Sequence, residues 1–380
     1  MSITRLLIAL LLVIAIYGGG NFYAAKRIYQ FLIYPFPFIN IKIYICVFVF
    51  IVSTLFLGFL PLPLVIIRIF NFISAYWMGI FMYLILLFFS ADILILIGRI
   101  TNIIHVTMLN NIRFFSGLAV IIVTAGLIIY GLINANLIKI VNYEIEFNDT
   151  SLNDLKIVLI SDTHLGDVNS ERNLERLVKS INSLTPDIVC ITGDIFNDNF
   201  YLIRNPDRAI SLFKSINATY GVYACLGNHD GGNTFNQMIK FLENSNIKLL
   251  NDEYVIIDNR FVLFGRLDTS PIGGFGELQR RDISETIISA GVNMPVIVME
   301  HNPSHIKEYG NEVNLILAGH THSGQMFPGN LVTKAMFVAA YGHYQENTDS
   351  PHVIVTSGVS TWRPPMRIGT KNEIVSILVR

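Results

Sequence analysis

The sequence predicts two parts: an N-terminal multi-spanning α-helical membrane domain over residues 1–138, then an α/β domain over residues 139–380. Three observations carry this. Of the 380 residues 52% are hydrophobic and only 14% charged, against about 25% charged in an average soluble domain. The excess is uneven: charges are sparse before residue 140, where Ile, Leu, Phe and Val dominate, and the composition afterwards is that of a globular domain. Beyond residue 140, short apolar runs alternate with amphipathic helical stretches, the pattern of strands and helices in an α/β fold.

A spanning helix needs about 20 mostly apolar residues. Residues 6–25 form the first such stretch, weakened by Gly18-Gly19-Gly20. It has no small-residue cleavage site and further apolar segments follow, so it reads as an anchor rather than a removed signal. The second covers 43–62 and ends near Pro61 and Pro63; the third covers 74–97, with Trp77 near one end and Asp92 inside; the fourth covers 114–135. Four spans place the N-terminus and the second domain on the same side. The loops of the other side carry Lys26, Arg27, Lys42, Arg99 and Arg113, against Arg5, Arg68 and Lys139 on the domain side. The basic excess marks the cytoplasmic face, so the second domain is expected outside the cytoplasm of a multi-pass cell-membrane protein. Ionisable residues inside spans face the bundle interior. Asp92 lies late in its span, which favours a structural or lipid-contacting role over a transport site.

In the second domain a period-two pattern over Leu137–Phe147 predicts the first strand. The apolar run from Ile157 predicts the next, and a helix over Glu171–Leu184 follows. Then come a strand at Asp187–Thr192, a helix near Asp207–Asn217 with Pro206 placed to start it, a strand at Tyr220–Leu226 and a helix near Thr234–Asn244. Tyr254–Asp258 and Phe261–Gly265 form a hairpin across Asn259-Arg260, and a helix covers Arg281–Ala290. Strands at Pro295–Met299, Val313–Ala318, Val353–Thr356 and Ile374–Val379 complete the domain. Cys46 lies in a membrane-type stretch, and Cys190 and Cys225 lie inside core strands; none has metal-ligand spacing, and all three read as buried apolar residues.

The strands share one feature. Each apolar run stops at Gly or at polar residues rich in Asp, Asn and His. The Ile157 strand ends in Asp162 and His164, the Asp187 strand in Gly193-Asp194, the Tyr220 strand in Gly227-Asn228-His229-Asp230, the Pro295 strand in Glu300-His301-Asn302-Pro303, and the Val313 strand in Gly319-His320-Thr321-His322. In extended backbone, positions i and i+2 point to one side, so Asp162 and His164 are expected to face one spot. Ligands of α/β sheets gather outside the carboxyl ends of the strands. Asp162, His164, Asp194, Asn228, His229, His301, His320 and His322 make an O/N donor set without thiolate, which suits Mn, Fe or Zn. There are too many ligands for one catalytic ion and about enough for two. A two-metal site clamps the attacking and leaving oxygens of a phosphoryl group. One carboxylate must then bridge, and Asp194 ends the central strand.

The ordered blocks D-T-H, G-D, G-N-H-D, a lone His before Asn-Pro, and G-H-T-H resemble the calcineurin-like metallophosphoesterases over residues 139–380. The stretch from Thr356-Ser-Gly through Arg363-Pro-Pro-Met-Arg367 to Glu373-Ile374 looks like the membrane-anchored bacterial branch, the transmembrane metallophosphoesterase type. The resemblance implies an αββα sandwich: two stacked sheets flanked by helices. It implies that Asp162, His164 and His322 hold one ion, that Asp194 bridges, and that Asn228, His301 and His320 complete the other. His229 would be a non-ligand that contacts the phosphate and protonates the leaving group. One position departs from the family pattern. Where a second Asp often supports the catalytic His, this chain has Asn197 followed by Asp198, so Asp198 and Asp230 are both candidates to orient His229.

Arg363 and Arg367 are candidates to grip a phosphate or diphosphate, or to pair with carboxylates. Asp268 is a candidate to line the cleft or to serve a turn. Gly273-Gly274-Phe275-Gly276 lacks the G-K-S/T that a phosphate loop needs and reads as a mobile loop; His305, His343 and His352 read as ordinary surface. The expected activity is metal-dependent hydrolysis of a phosphate ester or pyrophosphate by two divalent ions (Mn, Fe or Zn). The expected partners are the lipid bilayer and a phosphorylated small molecule or lipid, with a lipid-linked or envelope substrate favoured by the anchor. The alternatives are a phosphodiesterase for soluble nucleotides, and a sensor or transporter whose second domain only binds. A net charge of −1 argues against a dedicated nucleic-acid binder.

Overall fold

The computed structural model describes residues 3–147, 152, 154–169, 171–282, 284–290 and 294–380. The chain divides into two units, Met1–Tyr130 and Gly131–Arg380. The first is built from α1 (Ile3–Ile33), α2 (Ile41–Leu57), α3 (Leu64–Ile100) and most of α4 (Leu109–Ala135). The four expected spans fall on these four helices. Among the described residues, however, only α3 and the stretch Val106–Ala135 are long and apolar enough to cross a membrane. Helix α2 has 17 residues, short of the roughly 20 that a span needs. Helix α1 runs past the expected end of the first span, so Lys26 and Arg27 are helical rather than in a loop. Arg27 pairs with Asp92 at 3.1 Å, and Tyr23 donates its hydroxyl to the other Asp92 oxygen at 2.6 Å. The charge inside α3 is thus neutralised by α1, and its role is structural.

The division falls ahead of the expected 138/139 boundary because the last turn of α4 bonds into the second unit. Gly131 O accepts the Arg367 amide at 3.0 Å. Asn134 donates to Arg367 O and Thr370 O at 2.9 and 2.7 Å, and Ala135 O accepts from Asn372 at 2.6 Å.

The second unit holds two mixed six-stranded sheets. The first contains β1 (Ile138–Ile145), β2 (Leu155–Ile160), β3 (Ile188–Thr192), β4 (Val222–Cys225), β5 (Ile247–Leu249) and β12 (Asn372–Val379). Its order is β1-β12-β2-β3-β4-β5. The second contains β6 (Glu253–Ile257), β7 (Phe261–Gly265), β8 (Val296–Met299), β9 (Leu315–Ala318), β10 (Gly342–Tyr344) and β11 (His352–Val355), in the order β10-β11-β9-β8-β7-β6. Strand alternation decides which way each side chain is buried. On β2, Ile157 and Leu159 join the core between the sheets with Ile297, Met299, Leu315 and Leu317. Val158 and Ile160 turn to the opposite face. There they meet α5 (Glu171–Ser183), α6 (Pro206–Lys214) and α7 (Phe235–Asn244), whose Leu174, Phe213 and Phe241 are buried. The outer face of the second sheet is covered by α8 (Ser284–Ala290) and the turn Pro303–Glu308, through Ile287 and Ile306.

The expected hairpin β6–β7 forms, with Ile257 paired to Phe261, so its connection is Asp258-Asn259-Arg260 rather than Asn259-Arg260 alone. Strands β5 and β10 and helix α9 (Gly329–Met336) were not expected: the strands are three residues each, too short to carry a period. Leu159 is fully buried between the sheets. Leu159→Ala should therefore cost about 2–5 kcal/mol through lost transfer energy and a residual cavity, read as a lowered denaturation midpoint of the full chain.

Candidate metal centre

Strands β2, β3 and β4 of the first sheet and β8 and β9 of the second end at the same edge, and the loops that follow carry the candidate ligands. The backbone there is not extended. Strand β2 stops at Ile160, and Asp162 and His164 adopt left-handed φ of 59° and 43°. The two side chains therefore converge through successive left-handed turns, not through strand alternation as expected. The amides of Asp162 and His164 donate to Gly193 O and Asp194 O at 3.1 and 3.0 Å, which fixes both turns against the loop after β3. Asp194, His320 and His322 are left-handed as well. Such backbone costs of order 1–3 kcal/mol per non-glycine residue and persists only where the surroundings determine it. Two glycines make room. A Cβ on Gly193 would lie 2.6 Å from Gly227 N and 2.7 Å from His301 Nδ1, and one on Gly227 would overlap the Asp194 carboxylate.

These turns gather two groups of donors. In the first, His164 Nε2 and His322 Nε2 are 3.1 Å apart, and Asp162 Oδ1 lies 3.4 Å from His322 Nε2 and 3.9 Å from His164 Nε2. In the second, Asn228 Oδ1 lies 3.0 Å from His320 Nδ1 and 3.2 Å from His301 Nε2. Asp194 Oδ2 lies between the groups, 3.3 Å from His301 Nε2 and 3.7 Å from His164 Nε2. Its Oδ1 accepts the His229 amide at 2.9 Å. His301 Nδ1–H donates to Thr192 O at 2.7 Å, which turns Nε2 toward Asp194 and Asn228; such control of ring orientation typifies metal-binding imidazoles.

The donors fit a pair of divalent cations. Asp162 Oδ1 is buried and accepts no hydrogen bond, although it faces two imidazole nitrogens too close together for both to carry protons. A buried polar atom without a partner is costly, and a cation between these three atoms would remove the cost. Asp162, His164 and His322, and separately Asp194, His301 and His320, each have ligand atoms mutually within 4.8 Å. Electrostatics agree with neutral imidazoles at His164, His320 and His322. Burial pushes His164 down to about 3 and His320 down to about 4, and burial with the Arg367 charge holds His322 well below its ordinary value. Burial raises Asp162 to about 6. Burial alone would lift Asp194 too, but the His301, His164 and His229 rings outweigh it and hold that carboxyl well below its usual range. For His301 burial opposes charging, yet Asp194 outweighs burial and raises it; a bound cation would displace that proton.

Residues 155–324 match the family described as calcineurin-like phosphoesterase. The chain is 31% identical over 228 residues to an uncharacterized metallophosphoesterase of Aquifex aeolicus, covering 60% of this chain and 85% of that one. It is 30% identical over 265 residues to another from Campylobacter jejuni, covering 67% of each. The chain belongs to the calcineurin-like metallophosphoesterase family. It is also 30% identical over 276 residues to a transmembrane protein with metallophosphoesterase domain from Danio rerio; the match covers 68% of this chain and 62% of that relative's length.

Beside the two donor groups, His229 lies with its ring 5.2 Å from that of His164. Its Nδ1 is 2.6 Å from Asp198 Oδ1, so of the two candidates Asp198 is the orienting carboxylate. Asp230 is spent elsewhere: it is fully buried and accepts the Phe196 and Gly227 amides at 2.9 and 2.8 Å. Burial would push His229 down, but the Asp198 hydrogen bond and the Asp194 and Asp198 charges outweigh it and hold the imidazole above its ordinary value.

Arg367 does not reach a substrate. Its side chain is fully buried behind His322, with Nη1 donating to His322 O at 2.9 Å and Nη2 to Ser357 O and Ser360 O at 2.6 and 2.5 Å. The expected phosphate grip is replaced by a positioning role, because all these acceptors are carbonyls that only a buried donor fork can satisfy. Arg363 is half-buried in a left-handed turn (φ 56°). Next to it Trp362, which no sequence pattern marks, is 39% exposed and has its ring 5.5 Å from that of His229. The glycine-rich stretch is packed rather than free: Phe275 is buried, Gly274 O accepts the Gly232 amide at 2.8 Å, and Asn228 O accepts the Ile272 amide at 2.8 Å.

A protonated His229 is the acid form, so activity is lost as pH rises through its raised pKa. Asp198→Asn should lower turnover roughly 10–100-fold, the equivalent of about 1.5–3 kcal/mol for a charge-assisted hydrogen bond. It should also move the basic limb of the pH–rate profile to lower pH. Arg367→Met should weaken divalent-ion binding by about 10–100-fold, as loss of an outer-shell partner does, measured as metal content after dialysis, while KM of the residual activity stays unchanged.

Proposed function

We propose that the protein is a dinuclear metal-dependent hydrolase of phosphate esters or pyrophosphates that acts on a lipid-linked substrate at the cell membrane. The observation that carries the catalytic part is Asp194 lying between two nitrogen-rich donor groups, with the His229–Asp198 pair at their edge. When bound, two divalent cations supply charge neutralisation for a phosphoryl group and lower the pKa of water toward neutrality. Asp162, His164 and His322 would hold one, Asn228, His301 and His320 the other, and Asp194 both.

The remaining steps belong to the chain's own side chains. With Nδ1–H donated to Asp198, the cationic His229 carries its transferable proton on Nε2. A positioned imidazole of raised pKa is a suitable acid for the leaving oxygen. Trp362 flanks the ring and limits water on that side. Arg363, the next residue on the rim, is the basic side chain we assign to substrate phosphate.

The membrane part rests on α3 and the stretch Val106–Ala135, both long and apolar enough to span. With Arg27 paired to Asp92, four other basic residues of that side (Lys26, Lys42, Arg99, Arg113), all helical, stand against Arg5, Arg68 and Lys139, the sense that puts the catalytic domain outside the cytoplasm. A second reading, a phosphodiesterase for soluble nucleotides, is favoured by one feature: the exposed Trp362 ring beside His229 could stack on a base.

The test is hydrolysis by the full chain in detergent, loaded with Mn²⁺, of a monoester, a diester and a pyrophosphate in parallel. His229→Ala should lower the rate by about 10²–10⁴-fold, the usual contribution of a general acid, with about two ions still bound per chain. Equal rates for the two proteins would refute the assignment of His229, and a folded protein that binds no divalent ion would refute the dinuclear site.

A further inference from the structure

The metal centre leaves one feature of the second unit unexplained. Between His322 and β10 the chain forms α9, a helix with no buried residue. Phe327, Leu331, Val332, Met336 and Val338 are each more than half exposed. A contiguous apolar cluster of this kind marks an interaction surface. It is held in place at both ends. The Phe327 amide donates to Ile368 O at 2.7 Å. Thr321 Oγ1 donates to Ala340 O at 2.7 Å, and Ala339 is buried in the core of the second sheet. The Phe337 ring lies 6.1 Å from that of His320, so the surface adjoins the metal centre directly.

Two observations name what covers it. Ile368, which holds Phe327, also packs against the last turn of α4: a Cβ on Gly131 would meet its Cγ1 at 2.8 Å. The apolar surface is therefore fixed beside the end of an apolar stretch long enough to cross a membrane. The second observation is charge. Residues 325–341 contain Lys334 and no Asp or Glu, and the adjoining strap 359–372 contains Arg363 and Lys371, apart from the buried Arg367, and again no acid. Apolar side chains with basic and no acidic neighbours fit the interface of an anionic bilayer.

We propose that residues 327–338 are a membrane-seating surface, with Phe327, Leu331, Val332, Met336 and Val338 entering the acyl layer of an anionic bilayer. The surface delivers a lipid-linked phosphate to the His320 side of the centre; this delivery rests on the lipid-linked reading above. Seating lowers the distance the headgroup must leave the bilayer, which a water-soluble substrate does not need.

The test uses the full chain in phosphatidylcholine–phosphatidylglycerol vesicles, with Cys46→Ser to remove the exposed native thiol. A nitrobenzoxadiazole probe is placed at Leu331→Cys or Met336→Cys, and at Lys179→Cys on α5 as control. Doxyl-labelled lipid should quench the first two probes several-fold more than the third. Equal quenching at all three overturns the proposal. So does an unquenched probe at 331 whose self-quenching rises with protein per vesicle, which would assign the surface to a second copy. A Leu331→Asp, Met336→Asp double variant should lose several-fold in rate on a lipid-linked pyrophosphate and keep its rate on bis-p-nitrophenyl phosphate; equal loss on both overturns the delivery role. If the wild type hydrolyses neither substrate, the phosphoesterase reading fails, while the quenching result still decides the seating surface.

Discussion

Asp194 is a carboxylate with almost no water around it, shared by donors from both sheets. Taking such a charge out of water costs several kcal/mol unless positive charge and hydrogen bonds replace the solvent. The His229 amide meets one oxygen, and the other faces His164 and His301. The same burial lowers His164, His320 and His322 and thereby keeps their lone pairs available. One physical condition, a dry and over-determined pocket of oxygens and nitrogens, produces both the instability of the bare donors and their affinity for cations. His229 belongs to the same pocket, since the Asp194 charge also helps to raise the pKa of that ring.

Holding this arrangement is the task of the rest of the domain. Two sheets packed face to face supply a rigid edge, and the loops beyond it bond to one another rather than to solvent. Asp230 ties the loop after β4 to the loop after β3. Arg367 ties the C-terminal strap to His322, and its own amide is bonded to the last turn of α4. A chain of direct hydrogen bonds therefore runs from that turn to a ligand of the first donor group. The left-handed residues concentrate where these ties are densest, as strain does when the surrounding structure holds it.

Much of the domain was legible because its strands are continuous apolar runs cut off by Gly, Asp, Asn and His. The donor residues could be named from those endings alone. Their convergence was misread in mechanism: Asp162 and His164 meet through left-handed turns, which no side-chain periodicity reports. The two arginines show a different limit. Arg367 looks like any basic residue near a phosphate site until its burial is known, and guanidinium chemistry serves a phosphate and three carbonyls equally well. Trp362 was invisible for the converse reason, since a single aromatic residue carries no pattern. In the first unit, hydropathy located four helices, but Arg27 is a partner of Asp92 rather than a loop charge, a pairing made between residues far apart in sequence.

The sequence by itself determined the family, the chemical type of the donors and the division into an apolar helical part and an α/β part. Each of these depends on residue identity and local order. Only the tertiary structure decided that Asp198 rather than Asp230 orients His229, that Arg367 supports a ligand instead of a substrate, and that the segment after His322 exposes an apolar face. Each of those depends on which atoms long-range packing brings within about 3 Å, the reach of a hydrogen bond, or leaves uncovered. Distance and burial are properties of the folded chain, and the physical consequences of a carboxylate, a guanidinium or a leucine change sign with them.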